Sequence, residues 1–179
     1  MKKNLRDKLQ KIKILILDVD GVLTDGRVIM DDSGREIKNF DVRDGHGLKM
    51  LQRLGIKVVL LTGRQSEVVS HRARDLGIKE IHQKVFNKKE VFVRILKKNK
   101  LTSEEVAFIG DDIIDIPVLR AVGFSAAVAD ALAVVKKSVD YVTKYKGGRG
   151  AVREVCELIM QAQGHWEEIA AKYEFADLL

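Results

Sequence analysis

The chain has 179 residues, 46% of them hydrophobic and a single one proline, which suffices for one well-buried core and is short for two domains of ordinary size. Its net charge of +6 fits an anionic partner, but Lys and Arg are interleaved with Asp and Glu throughout, aromatics are only 6%, and no helix-turn-helix, zinc-finger or RNP-like pattern occurs; a small phosphorylated ligand is expected rather than nucleic acid. One cysteine, Cys156, rules out an intrachain disulfide and a cysteine metal cluster, and no apolar run approaches the roughly 18 residues that cross a bilayer, so a cytoplasmic protein with no membrane partner is expected.

Met1 to Lys11 is basic, with no apolar run behind it that would make a secretion signal. The run Ile12-Lys13-Ile14-Leu15-Ile16-Leu17 alternates too little for a half-solvated strand and reads as a central strand of a parallel sheet. It ends in Asp18-Val19-Asp20-Gly21. Arg27 to Met30 and Arg35 to Phe40 flank the turn residues Asp31-Asp32-Ser33-Gly34, which predicts a β-hairpin over about 27–40. Leu48, Leu51 and Leu54 mark a helix face ended by Gly55, and Val58 to Leu61 is a second buried strand leading to Thr62-Gly63-Arg64. A helix through Val68, Val69 and Leu76 closes at Gly77, a short strand lies within Ile78 to Ile81, and a helix follows over Lys89 to Lys98.

Thr102-Ser103-Glu104-Glu105 has the form of a capping box feeding a third strand, Val106 to Ile109. Gly110-Asp111-Asp112 stands at its end, Pro117 to Leu119 enters a helix, and Phe124 to Val128 is a fourth strand. A helix near Ala131 to Lys136, a strand at Tyr141-Val142 and a long helix from about Ala151 to Gln163 complete the pattern, with the helix and tail running over about 151–179. Cys156 falls on the periodic face of that helix and reads as a free core thiol. Trp166 and the residues after it read as a helix whose docking the pattern leaves open. Alternating strands and helices give an α/β fold with a doubly wound, mostly parallel sheet, in one domain spanning 1–179.

Ligand sites in such sheets lie at the carboxyl ends of the strands. Three of those ends carry polar groups: Asp18 with Asp20, Thr62, and Asp111 with Asp112. Two carboxylates one residue apart, where a buried strand meets a glycine turn, can serve as nucleophile and proton carrier on one phosphorus atom. An oxygen-only cluster of this kind needs a hard cation, and Mg²⁺ suits a site where a phosphate supplies the remaining ligands. Lys88 or its neighbour Lys89, at a predicted helix start, is placed to neutralise phosphoryl charge.

Taken in order, Asp18-Val19-Asp20-Gly21, Thr62-Gly63-Arg64, Lys88 and Gly110-Asp111-Asp112-Ile113-Ile114-Asp115 resemble the four motifs of the haloacid dehalogenase-like phosphatases. The resemblance implies a Rossmann-like fold in which Asp18 attacks phosphorus and forms a phosphoaspartyl enzyme. Asp20 would protonate the leaving group and then take a proton from water. Mg²⁺ would be held by Asp18, the Asp20 main-chain carbonyl and Asp111. Thr62 and Lys88 would bind the phosphoryl group, with Asp112 and Asp115 supporting from behind.

Neither the stretch from Asp20 to Thr62 nor that from Thr62 to Lys88 has room for a cap domain. The chain as a whole is similar to a capless group, the 3-deoxy-D-manno-octulosonate 8-phosphate phosphatases. The similarity rests on Leu23-Thr24-Asp25-Gly26, Phe40-Asp41-Val42-Arg43-Asp44-Gly45, Val128-Ala129-Asp130-Ala131 and Gly147-Gly148-Arg149-Gly150-Ala151-Val152-Arg153-Glu154. It implies a homotetramer with hairpins packed at its centre and each site covered by a neighbouring subunit. It also implies substrate contacts at Asp20, at Asp41, Val42, Arg43, Asp44 and Gly45, and at Lys49, Arg64, Arg72 and Lys88, the substrate being an anionic sugar phosphate. Lys49 stands where the family often has Arg, so it keeps the charge without the bidentate fork. His46 reads as loop or rim, and Arg149 either reaches a neighbouring site or caps a helix. A phosphatase for a nine-carbon sugar acid 9-phosphate and a catalytically silent oligomerisation module of the same fold are the competing readings.

Overall fold

The structure, a computed structural model, describes residues 3–178; Met1, Lys2 and Leu179 of the expected domain lie outside the described residues. Its centre is β1 (Ile14–Leu17), four aliphatic residues buried on both faces. Full burial of each such side chain is worth about 1.5–3 kcal/mol, which is why an uninterrupted apolar run settles as an inner strand. Beside it lie β4 (Lys57–Leu61) and β6 (Val106–Gly110), in register Ile16 to Val59 and Ile16 to Phe108. With β5 (Glu80–His82), β7 (Phe124–Ala127) and β8 (Tyr141–Val142) they form a six-stranded sheet in the order β5-β4-β1-β6-β7-β8, parallel throughout. The expected doubly wound α/β fold is thus the observed one. Chain order reverses direction around β1, so a crevice opens at the carboxyl ends of β1, β4 and β6.

The helices are α1 (Lys3–Leu9), α2 (Val42–Arg53), α3 (Glu67–Leu76), α4 (Lys88–Asn99), α5 (Ile116–Leu119), α6 (Ala133–Lys136), α7 (Ala151–Ala162) and α8 (Trp166–Lys172). Their starts obey local chemistry. Asp41, Ser66 and Asn87 each cap with a side-chain oxygen that accepts from Arg43, Val69 and Glu90 N–H respectively, and Gly77 closes α3 at a φ of +73°. Helix α7 packs its buried face, including Cys156, against α2. The C-terminal stretch docks through Ile169 and Ala170, with the Trp166 and Phe175 rings edge-on at 5.8 Å.

Three expectations change in detail. Helix α1 was not expected; its last turn is held by Gln163, whose side-chain amide donates to the Leu9 and Ile12 carbonyls at 3.1 and 2.8 Å. The hairpin is present, but its ladder is only β2 (Ile29–Met30) against β3 (Glu36–Ile37), because the residues after Ile37 turn toward the sheet. Strand β5 starts within the expected stretch, at Glu80, but runs one residue beyond it, to His82.

Candidate active site

The catalytic turn follows directly from β1. Asp18 continues its hydrogen bonding, the N–H donating to Ile109 O at 3.1 Å. The N–H groups of Val22, Leu23 and Thr24 then all converge on Val19 O at 2.9–3.2 Å. The buried Thr24 hydroxyl accepts from the N–H groups of Gly21 and Gly26, both at 3.3 Å. Gly21 sits at a φ of +88°, and a Cβ there would collide with the Asp111 carboxylate; both facts require glycine. The Gly147-Gly148 segment presses on this turn from outside. Gly148 N–H donates to Val22 O at 2.9 Å, and a Cβ on Gly147 would overlap the Gly21 carbonyl. Gly147→Ala is therefore expected to destabilise the protein by about 1–3 kcal/mol, read as a drop in melting temperature; an unchanged melt would mean that this segment is not tightly seated.

At the end of β6, Asp111 lies beside Asp18, and Asp115 closes the cluster. One carboxylate oxygen from each of Asp18, Asp111 and Asp115 lies within 4.8 Å of the others. Asp115 is fully committed: it takes Lys88 Nζ at 2.6 Å on one oxygen and the N–H groups of Asp111 and Asp112 at 3.0 and 3.3 Å on the other. Lys88, the first residue of α4, is itself buried and also stands 3.0 Å from Asp18 Oδ1. Lys89, its neighbour in sequence, is exposed. That selects Lys88 from the pair.

Burial pushes the Asp18 carboxyl up to about 6, with Lys88 opposing the shift and Asp115 adding to it. Burial, then the charges of Asp18, Asp115 and Asp112, push Asp111 up to about 8. Burial also works against the Lys88 ammonium, but Asp18 and Asp115 outweigh it and raise its pKa. These shifts mark a site with too much negative charge for its surroundings. Asp18 Oδ1 and Asp111 Oδ1 are buried without a hydrogen-bond partner, the Lys88 ammonium approaching the former out of alignment. Two orphaned carboxylate oxygens, a donor set made only of oxygen, and a glycine that leaves room beside Asp111 together fit a hard divalent cation. Asp115, occupied by Lys88 and main-chain amides, is the support behind it. Asp112 is exposed, and its side chain accepts from Ile113 N–H at 2.6 Å.

The remaining expected residues fall into two groups. Near the catalytic turn, Thr62 is buried at the end of β4, with its hydroxyl accepting from Arg64 N–H at 3.4 Å. Arg64 pairs with Glu36 at 3.0 Å and stands 3.9 Å from Asp20. The second group surrounds the start of α2. Asp41 caps that helix and pairs with Arg43 at 3.0 Å, Val42 is exposed, and Gly45 packs against the Arg72 guanidinium. Arg72 lies over the Phe40 ring and donates to Asp41 O at 3.4 Å. Lys49 is 4.0 Å from Asp75. Asp44 is buried, and its carboxylate accepts from Gly150 and Arg153 N–H at 3.2 and 2.8 Å, with burial pushing it up to about 6. Its side chain thus holds the start of α7. Among the described residues, no hydrogen bond or ion pair joins this second group to Asp18, Asp20 or Lys88. His46 lies at the rim of a cleft of about 660 Å³ with Arg43, Tyr145 and Arg153. Arg149 is exposed, 3.8 Å from Asp25, and its carbonyl accepts from Arg43.

One residue that the sequence did not single out reaches the catalytic turn. Lys38, just after β3, buries its whole side chain and pairs with both Asp20 and Glu36.

Comparison with known proteins agrees with this geometry. The model of the haloacid dehalogenase-like hydrolase family matches residues 35–123. The 3-deoxy-D-manno-octulosonate 8-phosphate phosphatase of Escherichia coli K12 is 47% identical over 161 residues, covering 90% of this chain and 86% of that protein. Its counterpart in Haemophilus influenzae is 46% identical over 160 residues, covering 89% of each. Among solved structures, the Moraxella catarrhalis enzyme in complex with magnesium ion, phosphate ion and KDO superposes with a TM-score of 0.94 at 39% identity, over 97% of this chain and 99% of that one. With motif order, sheet topology and near full-length identity in agreement, the chain belongs to the 3-deoxy-D-manno-octulosonate 8-phosphate phosphatase family of haloacid dehalogenase-like hydrolases.

Proposed function

We propose that the chain hydrolyses 3-deoxy-D-manno-octulosonate 8-phosphate to the free sugar acid and inorganic phosphate, a step in making lipopolysaccharide precursors, with Asp18 as the nucleophile. The observation that carries the reading is the Asp18 carboxylate itself: buried at the end of a central strand, flanked by the Lys88 ammonium and by Asp111, with one oxygen unpartnered. Asp18 attacks phosphorus, and the phosphoryl group passes to its carboxylate as the bond to the sugar oxygen breaks. Asp20 gives that oxygen its proton, then receives a proton from the water that cleaves the phosphoaspartyl ester. Thr62 and Lys88 hold the phosphoryl oxygens, Lys88 offsetting charge that grows as the nucleophile approaches. Asp18, Asp111 and the Asp20 main-chain carbonyl would hold Mg²⁺, which would supply positive charge where an anionic nucleophile meets an anionic ester.

Substrate selection falls to Arg64, beside the catalytic turn, and to the residues around α2. Arg64, Arg72 and Lys49 suit a ligand with a carboxylate as well as a phosphate, and Asp41 to Gly45 offer main-chain and side-chain polar groups beside them. The surface cleft that Asp41, Val42 and Arg43 line together with Asp25, Gly148 and Arg149 supports a site completed by a neighbouring subunit. So do Val28, Met30 and Ile37, apolar side chains that the hairpin leaves more than half exposed. A homotetramer in the cytoplasm is the assembly that fits; among the described residues no helix is long and apolar enough to cross a membrane.

Phosphate release from a panel of sugar phosphates with Mg²⁺ tests the substrate. The eight-carbon sugar acid 8-phosphate is expected to lead simple hexose phosphates by at least ~10²-fold in kcat/KM, and a nine-carbon sugar acid 9-phosphate by the smaller margin of ~10-fold that a one-carbon difference allows. Equal turnover of all monoesters would remove the substrate assignment, and preference for the nine-carbon ester would transfer it.

A further inference from the structure

The hairpin carries one lysine into the catalytic turn. Lys38 follows β3, and its side chain is wholly shielded from solvent although its sequence neighbours Ile37 and Asn39 are exposed. Its ammonium lies against Asp20 Oδ1 and 3.0 Å from Glu36 Oε1. Glu36 is fixed in turn by Arg64 at 3.0 Å and by the Ser66 hydroxyl at 2.5 Å. The other Asp20 oxygen, Oδ2, has no hydrogen-bond partner among the described residues and only Arg64 Nε at 3.9 Å. One oxygen of the carboxylate is therefore pinned, and the other is free of hydrogen bonds among the described residues. A buried ammonium with two carboxylates is costly to desolvate, and removing it alone would leave both carboxylates without that partner.

We propose that Lys38 is a positioning residue for Asp20: it fixes the carboxylate through Oδ1 so that Oδ2 alone exchanges protons with the reacting oxygens. This rests on the reading of Asp20 as acid and base. In the first step Asp20 Oδ2–H gives its proton to the sugar oxygen as the P–O bond to the sugar breaks and the bond from Asp18 to phosphorus forms. The Lys38 ammonium stabilises the carboxylate so produced. In the second step Oδ2 takes a proton from water as that water's oxygen bonds to phosphorus and the Asp18 ester bond breaks. Lys38 holds Oδ1 in both steps and itself transfers no proton.

Dependence on the leaving group tests the role. A sugar alkoxide needs a proton to depart, whereas 4-nitrophenolate departs unaided. With saturating Mg²⁺, Lys38→Met in the full chain is expected to lower the single-turnover rate of sugar acid release, which reads the first step alone, by about 10²-fold with half-saturation changed less than ~3-fold, and to lower the single-turnover rate of 4-nitrophenolate release by less than ~10-fold. Asp20→Asn is expected to show the same skew, and adding Lys38→Met to it to cost no more than ~3-fold further, because the two residues act as one unit. Equal losses on both esters, or a full further loss in the double variant, would overturn the role of Lys38 and leave the reading of Asp20 standing. An Asp20→Asn enzyme with undiminished turnover of the sugar acid phosphate would instead overturn that reading. Should Lys38→Met fail to give a cooperative melt, Lys38→Arg carries the test: it keeps the charge but cannot place it at the same point. Its ratio of rates on the two esters is expected to move at least ~3-fold in the direction of Asp20→Asn, and an unchanged ratio would overturn the proposal.

Discussion

Asp18→Asn is expected to lower turnover by at least about 10⁴-fold while leaving a protein that folds and, without metal, melts higher than the wild type. The two effects have one origin. The amide is nearly isosteric with the carboxylate but offers no anionic oxygen to phosphorus, so the covalent step is lost outright. It also removes one of three clustered carboxylates. Burial and Asp115 hold the Asp18 carboxyl up at about 6, so at neutral pH its charge is less favourable in the folded chain than in the unfolded one. At roughly 1.4 kcal/mol per unit, relief on the order of 1–3 kcal/mol follows. Lys88 keeps Asp115 at 2.6 Å and is not stranded. Single-turnover assays and thermal denaturation with a chelator check both parts. Turnover within a hundredfold of wild type would mean that another group attacks phosphorus. A lower melt would mean that the Lys88 contact outweighs the repulsion.

Stability of the metal-free protein is expected to fall as pH rises from about 4 to about 8, and Mg²⁺ is expected to cancel most of that fall. Asp111 titrates near 3.8 when unfolded and about 8 when folded. Across that window the native state holds a proton that the unfolded state has released, so ∂ΔG/∂pH is negative; below 3.8 both states are protonated and the penalty is absent. Asp18 adds to the slope over its lower part, up to about 6. The combined loss is on the order of a few kcal/mol, enough to move the melting temperature of a chain this size by several degrees. Melts in a chelator and in Mg²⁺ at pH 5.5 and 8 should therefore diverge mainly at the higher pH. In Asp111→Asn the pH slope should flatten and the response to Mg²⁺ should vanish, with loss of turnover. A Mg²⁺ response equal at both pH values would show that the acidic cluster is not where the ion binds.

The residues that carry chemistry were the easiest to find in the sequence, because buried parallel strands leave a plain signature and their ends announce the site. Ile14 to Leu17, Val58 to Leu61 and Val106 to Ile109 are apolar without alternation, and each ends in a polar residue at the same sheet edge. Asp18, Thr62 and Asp111 follow from that alone, whereas Lys88 at the start of α4 needed the resemblance to separate it from Lys89. Less legible was anything fixed by distant packing. Helix α1 has only Leu5 and Leu9 as a periodic pair, too short a pattern to separate from a charged end, and its last turn is held by Gln163, more than 150 residues away. Lys38 looks solvated in a short hairpin; its burial exists only because Asp20, Glu36 and the turn come together. The bonds by which the Asp44 carboxylate holds the start of a helix over 100 residues further on were equally hidden. A single residue's partner at that separation leaves no local pattern to read.

That last contact ties the starts of two helices, far apart in sequence, into one cooperative unit. Because Asp44 near the start of α2 holds the amides that begin α7, the loop before α2 and the glycine segment before α7 cannot open separately without stranding a buried carboxylate or two buried amides. Their fluctuations share one opening free energy. Hence a residue that touches neither metal nor phosphate sets how often the segment behind the catalytic turn is released.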